Sequence, residues 1–278
     1  LRGPLFDSTP DGDFTIGVEL EVEADDRHDF VETMCSRYGT KLICKRDGSL
    51  DDDDGVELVT RPMSTSEAIE LFKDMRFPGG TIAWNAGVCG MHVHIDSRAF
   101  TEESLARFMS FWNDAGNLKL IRAVAGRHPM KDEQAASYAA LEDMDFNEGC
   151  VVKRMKKCTA GTNRFRVVNL CNLRRRDYER LGLEYAGKSV GDSGTIELRV
   201  FRASLRKARL LAQIEMASAS AHFARTETSK QDEKAFTSWL KKNTEAWPHL
   251  AEFLGVEPEA EQEEGVGDYL VPPVSQEV

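Results

Sequence analysis

Asp13-Phe14-Thr15-Ile16-Gly17-Val18-Glu19-Leu20-Glu21-Val22-Glu23 alternates strictly between apolar and polar positions. Successive side chains of a strand point to opposite faces, so Phe14, Ile16, Val18, Leu20 and Val22 share one face. Asp13, Thr15, Glu19, Glu21 and Glu23 share the other. Like charges lined up on one face repel. Glu19-x-Glu21-x-Glu23 therefore asks for a compensating cation.

The same polarity returns downstream. In Gly90-Met91-His92-Val93-His94-Ile95-Asp96, the residues Met91, Val93 and Ile95 alternate with His92, His94 and Asp96. In Thr195-Ile196-Glu197-Leu198-Arg199-Val200-Phe201, the residues Ile196, Leu198 and Val200 alternate with Glu197 and Arg199. Three such strands predict an α+β fold: one sheet, helices behind its apolar face, and a polar site in front.

The bulk numbers fit a soluble globular protein. The 278 residues allow one large domain or two small ones, with 41% hydrophobic and 30% charged residues. A net charge of −11 and a pI near 5.2 argue against a broad nucleic-acid or anionic-membrane surface. No apolar run is long enough to span a bilayer, and Leu1-Arg2-Gly3-Pro4 lacks the apolar core of a signal peptide. The six cysteines are scattered without a CxxC pair and read as reduced packing thiols. A cytoplasmic location is the expectation.

Along the chain, residues 1–12 read as a loose arm. Arg27 to Tyr38 has helical spacing and stops at Gly39; Thr40 to Cys44 is a short strand. Asp51 to Asp54 reads as a solvated loop tip, followed by a strand Gly55 to Arg61 that carries Glu57 and ends at Pro62. Ser64 or Thr65 caps a helix from Ser66 to about Met75. Thr101 opens a long helix reaching Leu118, and residues 127–160 hold helical stretches ending in the basic run Lys153 to Lys157. Asn163 to Leu170 reads as a strand with Arg164 and Arg166 on one face. Ala203 to Arg225 is a long alanine-rich helix, and a last helix runs from Asp232 to Leu254. The acidic stretch 257–278 reads as a mobile tail.

Hard divalent cations prefer carboxylate oxygens and often bind together with phosphates. Glu19, Glu21, Glu57 and Glu197, with one histidine, would suit two Mg²⁺ ions, or Mn²⁺ given the imidazole. Arg164, Arg166 and Arg199 would then hold phosphate or carboxylate oxygens. Metal ions with arginines describe phosphoryl transfer. Each signal also has a plain structural reading. Glu19-x-Glu21 alone fits an exposed edge strand, His92-x-His94 a structural pair, and Glu197-x-Arg199 a salt bridge. Arg164 and Arg166 are as readily surface charges.

Five of these motifs stand in the order seen in a known family. They are Gly17 to Glu21, Asp47 through Val59, Cys89 to His94, Asn163 to Asn169, and Thr195 to Phe201. Together they resemble the amidoligase family of the glutamine synthetase and glutamate–cysteine ligase superfamily of carboxylate–amine ligases. The string Gly90-Met91-His92-Val93-His94 is similar to the histidine strand of glutamine synthetases. The resemblance spans about residues 13–210 and implies a curved antiparallel sheet of the glutamine synthetase catalytic type, in a catalytic domain over 13–226; residues 227–256 read as a C-terminal helical extension. It implies that ATP and two or three Mg²⁺ or Mn²⁺ ions bind the polar face. A substrate carboxylate would form an acyl phosphate, which an amine would convert to an amide.

By the same resemblance, Glu19, Glu21, Glu57, His92 and Glu197 are metal ligands, and His92 and Glu197 hold the ion that bridges the nucleotide phosphates. Arg199 contacts the transferred phosphoryl group or the substrate carboxylate, assisted by Arg164 or Arg166. His94 shares the face of His92 and joins the nucleotide-binding group. An aspartate expected before Glu57 would be Asp47 or one of Asp51 to Asp54. The rivals are a phosphagen-kinase-like phosphotransferase, a cupin-type metal oxygenase and a metal-binding module without catalysis. The cupin pattern wants a glutamate soon after His94, where this chain has Asp96, Ser97 and Arg98.

Overall fold

In the computed structural model, the described residues are 14–46, 54–84, 89–127, 139–142, 144, 150–155, 164–184, 191–228 and 230–259. The expected arm over 1–12, Asp47, Asp51 to Asp53, Asn163, Lys156, Lys157 and most of the acidic tail lie outside them.

The alternating stretch forms β1, Ile16–Ala24. Around it lie β2 (Leu42–Lys45), β3 (Gly55–Thr60), β4 (Thr81–Ile82), β5 (Gly90–Asp96), β6 (Val168–Asn169) and β7 (Thr195–Arg202). They make one seven-stranded sheet in the order β2-β3-β1-β5-β7-β6, with β4 paired to the end of β1. Every pairing is antiparallel. The sheet is open, with β2 at one edge and β6 at the other.

Period-two patterning sorts the two faces. Ile16, Val18, Leu20 and Val22 are buried, as are Met91, Val93 and Ile95 on β5 and Ile196, Leu198 and Val200 on β7. These side chains join one core cluster with the helices, reaching Phe236, Leu240 and Leu250 near the C-terminal end. The carboxylates and imidazoles take the other face.

Local chemistry starts and stops the helices. α1 (Arg27–Tyr38) is capped by Asp26, which accepts from Asp29 N at 2.9 Å, and it stops at Gly39. α2 (Thr65–Asp74) opens on a reciprocal box in which Ser64 N donates to Glu67 Oε2 and Glu67 N to Ser64 Oγ. α3 (Glu102–Asn113) is capped by Thr101. The expected long helix does not run on to Leu118. Asp114 Oδ1 accepts from Gly116 N at 2.7 Å and turns the chain through a short 3₁₀ segment into α4, Leu118–Ala125.

Two short helices follow, α5 (Val151–Met155) and α6 (Arg175–Arg180). Within the described part of the strand expected over Asn163 to Leu170, only Val168–Asn169 joins the sheet, and Arg166 makes an isolated bridge to Ala140. α7 (Lys207–Thr226) is buried on nearly every side, which its small Ala and Ser residues permit, and it packs on α2, α3, α4 and β5. The predicted last helix is two, α8 (Glu233–Lys242) and α9 (Pro248–Leu254), with Pro248 opening the second. None of the described helices is long and apolar enough to cross a membrane.

Candidate metal centre

Sheet register builds the site. On β1 and β5, Glu19 pairs with His92 and Gly17 with His94; on β5 and β7, His94 pairs with Glu197; on β6, Asn169 pairs with Glu197. Gly17, His94, Glu197 and Asn169 thus form one row across four strands, and Glu19 and His92 stand in the next. The register shifts between Met91 and Val93, a bulge that gives β7 one residue more than β5 there. It brings both histidines against Glu197.

The donor atoms converge. His92 Nδ1 lies 3.5 Å from Glu19 Oε2 and 3.5 Å from Glu197 Oε1. His94 Nε2 lies 3.2 Å from Glu19 Oε1. One ligand atom each from Glu19, His94 and Glu197 fall within 4.8 Å of one another, a spacing that can hold a metal ion. Glu21 stands beside them: its Oε1 is 3.9 Å from His92 Nε2, and its Oε2 accepts a short bond from Gly90 N. A Cβ at position 90 would meet His92 Nε2 at 3.1 Å and Glu21 Oε2 at 3.2 Å, so glycine makes room for both side chains.

Glu197 is the most heavily supported member. It accepts from Asn169 Nδ2 at 2.7 Å, from Asn172 Nδ2 at 2.8 Å and from Arg199 Nη1. Thr195 Oγ1 meets His94 Nδ1 at 3.1 Å and Ser193 Oγ at 3.0 Å, which fixes the second imidazole from behind. Sequence reasoning assigned no part to Asn169, Asn172, Thr195 or Ser193. Asn169 and Thr195 lay within quoted motifs, but only the sheet register brings them to Glu197 and His94.

Charge is balanced inside the cluster. Burial pushes the Glu19 carboxyl up, but the imidazoles of His92 and His94 beside it outweigh this and hold it far below the usual carboxylate range. Burial pushes His94 down, and the charges of Glu197 and Glu19 bring it above its ordinary value. Burial likewise raises Glu197, and His94, His92 and Arg199 more than reverse it. The cluster therefore sets three acids against two imidazoles and a guanidinium, and His94 offsets the charge of both Glu19 and Glu197.

The remaining expected site residues lie elsewhere. Glu57 is buried opposite Glu21, further from the cluster along the polar face. Arg166 is held by Glu142, with Nε 3.2 Å from its Oε2, and donates to Leu141 O. Arg164 is exposed and stacks over the Phe165 ring at 4.9 Å. Asp54 is exposed at the start of β3.

The donor set fits a divalent cation. His94 Nε2 is buried and, although close to Glu19, has no partner in hydrogen-bonding geometry; Arg199 Nε is likewise buried without one. Mixed carboxylate and imidazole donors can hold a divalent transition metal as well as a harder cation. No protein-family model matches the chain, and no curated protein matches it.

Proposed function

We propose that the chain is an ATP- and metal-dependent carboxylate–amine ligase working on the polar face of an antiparallel sheet of the glutamine synthetase type. The convergence of Glu19, His94 and Glu197, with Arg199 against Glu197, is the observation that supports this reading most directly. The rest of its support is the order of the five motifs.

Glu19, His94 and Glu197 would hold a divalent cation, with His92, Glu21 and Glu57 extending the acidic face towards a second. The cation supplies charge neutralisation for nucleotide phosphates when bound. Arg199 would neutralise charge on the γ-phosphoryl group as the substrate carboxylate attacks it, releasing ADP and leaving an acyl phosphate. An amine then displaces phosphate, losing a proton as the amide forms. Asn169 and Asn172 would keep Glu197 in place through this exchange. No step is given to Arg166, whose guanidinium is occupied by Glu142 and Leu141. The single antiparallel sheet counts against a cupin-type oxygenase, which is built on a double-sheet jelly roll.

The test uses hydroxylamine as a general amine. With ATP, Mn²⁺ or Mg²⁺ and a panel of amino acids and small carboxylic acids, an acyl phosphate is trapped as a hydroxamate with ADP and phosphate released. Metal-dependent ATP binding, abolished in Glu19→Gln/Glu197→Gln, is the expected companion result. Absence of metal-dependent nucleotide binding in the wild type would sink the ligase reading.

A further inference from the structure

A second polar cavity, ≈ 400 Å³ in volume, opens where β5 ends and β7 and α6 begin. That is within the usual size of small-molecule sites, about 300–1,000 Å³. Its charged walls are Arg98, Arg174, Arg176 and Arg180 against Asp96 and Asp177: four positive groups minus two negative leave a formal excess of two positive charges.

The way these arginines are held decides what the excess is for. Asp96 takes up Arg98, accepting from Nε at 2.9 Å and from Nη2. Arg180 is pinned by Phe100 O at 2.7 Å and Ser97 O at 2.9 Å, with Asp177 Oδ1 at 3.4 Å. Arg174 is fixed only by neutral groups on its guanidinium, donating from Nε to Asp192 O at 2.8 Å and from Nη2 to Ser193 O at 3.1 Å. Carbonyls fix a guanidinium in place without cancelling its charge. Gly194, at φ +72°, lets that guanidinium lie against the turn, since a Cβ there would come within 3.1 Å of it. Arg176 has no hydrogen-bond or ion-pair partner among the described residues. A rigid, uncompensated fork beside a free one is the arrangement that recognises oxyanions.

We propose that this cavity is an oxyanion site that takes the carboxylate or phosphate of a small anionic ligand. It adjoins the metal centre. A neighbouring cavity of ≈ 290 Å³ is lined by Glu19, His94 and Thr195, and Ser193 belongs to the walls of both. A ligand anchored on Arg174 and Arg176 would extend past Ser193 towards His94. The proposal requires neither metal nor nucleotide, so it stands or falls apart from the ligase reading.

Calorimetric titrations of the full chain with inorganic phosphate and with succinate, without metal and at constant ionic strength, test it. Saturable binding is expected, weakened at least about tenfold in Arg176→Gln and in Arg174→Gln, and unchanged in Arg37→Gln on α1. Tighter phosphate binding would assign a phosphorylated ligand, and tighter succinate binding a carboxylate one. If Arg174→Gln unfolds, Arg176→Gln decides alone, since its exposed side chain supports no other group. Failure of both anions to saturate would overturn the site. So would equal affinity in wild type and Arg176→Gln, or a loss of equal size in Arg37→Gln.

Discussion

His94 stands directly opposite Glu197 in the β5–β7 ladder, and each favours the charged form of the other. Burial works against both, yet their attraction, joined by Glu19 on one side and Arg199 on the other, prevails. The cluster is therefore self-compensating, unlike a purely acidic ion site whose carboxylates repel until a cation arrives.

That distinction gives a prediction for the metal-free protein. In a repulsive site, Glu197→Gln would raise stability. Here it replaces a carboxylate that accepts from Arg199 at Oε1 and from Asn169 and Asn172 at Oε2 with an amide that has one acceptor oxygen and no charge, and leaves buried positive charge without its partner. Loss of about 2–4 kcal/mol is expected, together with loss of Mn²⁺ binding. Urea unfolding with chelator present reads the first, and a raised midpoint would show that the cluster is repulsive after all.

Gly90→Ala separates site geometry from folding. The new methyl would press on His92 Nε2 and Glu21 Oε2, both side-chain tips that can yield by tenths of an ångström. Stability should fall by only about 1 kcal/mol, while Mn²⁺ affinity falls roughly tenfold or more because two donors move. Equal, small changes in both would mean that Glu21 and His92 do not contribute to ion binding.

Much of this was legible in the sequence because half-buried strands must alternate. β1, β5 and β7 declare themselves, and the faces assigned to Glu19, Glu21, His92, His94 and Glu197 are those observed. The capping box at Ser64 and Glu67 is local and equally readable. What escaped depends on pieces distant in sequence. The bulge beside Met91 decides how the histidines meet Glu197, and it is a property of the strand pair. Arg166 has a site-like spacing from Arg164, but Glu142 and Leu141, supplied by another segment, claim it. The break after Asn113 depends on Asn117, whose amide donates to Phe111 O and to the distant Gln231 O.

Arg166→Met tests that reassignment. The substitution keeps the aliphatic packing but removes the donors facing Glu142 and the Leu141 carbonyl. Stability should drop by about 1–3 kcal/mol, with Mn²⁺ affinity within about twofold of wild type. A metal-binding loss as large as that of Glu197→Gln would return Arg166 to the site.

Glu215 sets a pH dependence far from the metal centre. It lies buried in α7, and its Oε2 accepts from Leu250 N at 2.7 Å, at the start of α9. Burial pushes its pKa up to about 7, against the lowering effect of bonds from the Leu250 and His249 amides. Below the unfolded value of 4.5, both states are protonated and Glu215 costs the fold nothing. As pH rises from there to about 7, the unfolded chain ionises first, so this contribution to stability is lost, and above 7 the loss is complete. Its ceiling is about 3 kcal/mol. Glu215→Gln keeps an acceptor for Leu250 N without the charge, so it should match wild type near pH 4 and exceed it near pH 8. Chemical denaturation of both proteins across that range reads the difference, and a gap that does not grow with pH would place the ionisation of Glu215 in its ordinary range.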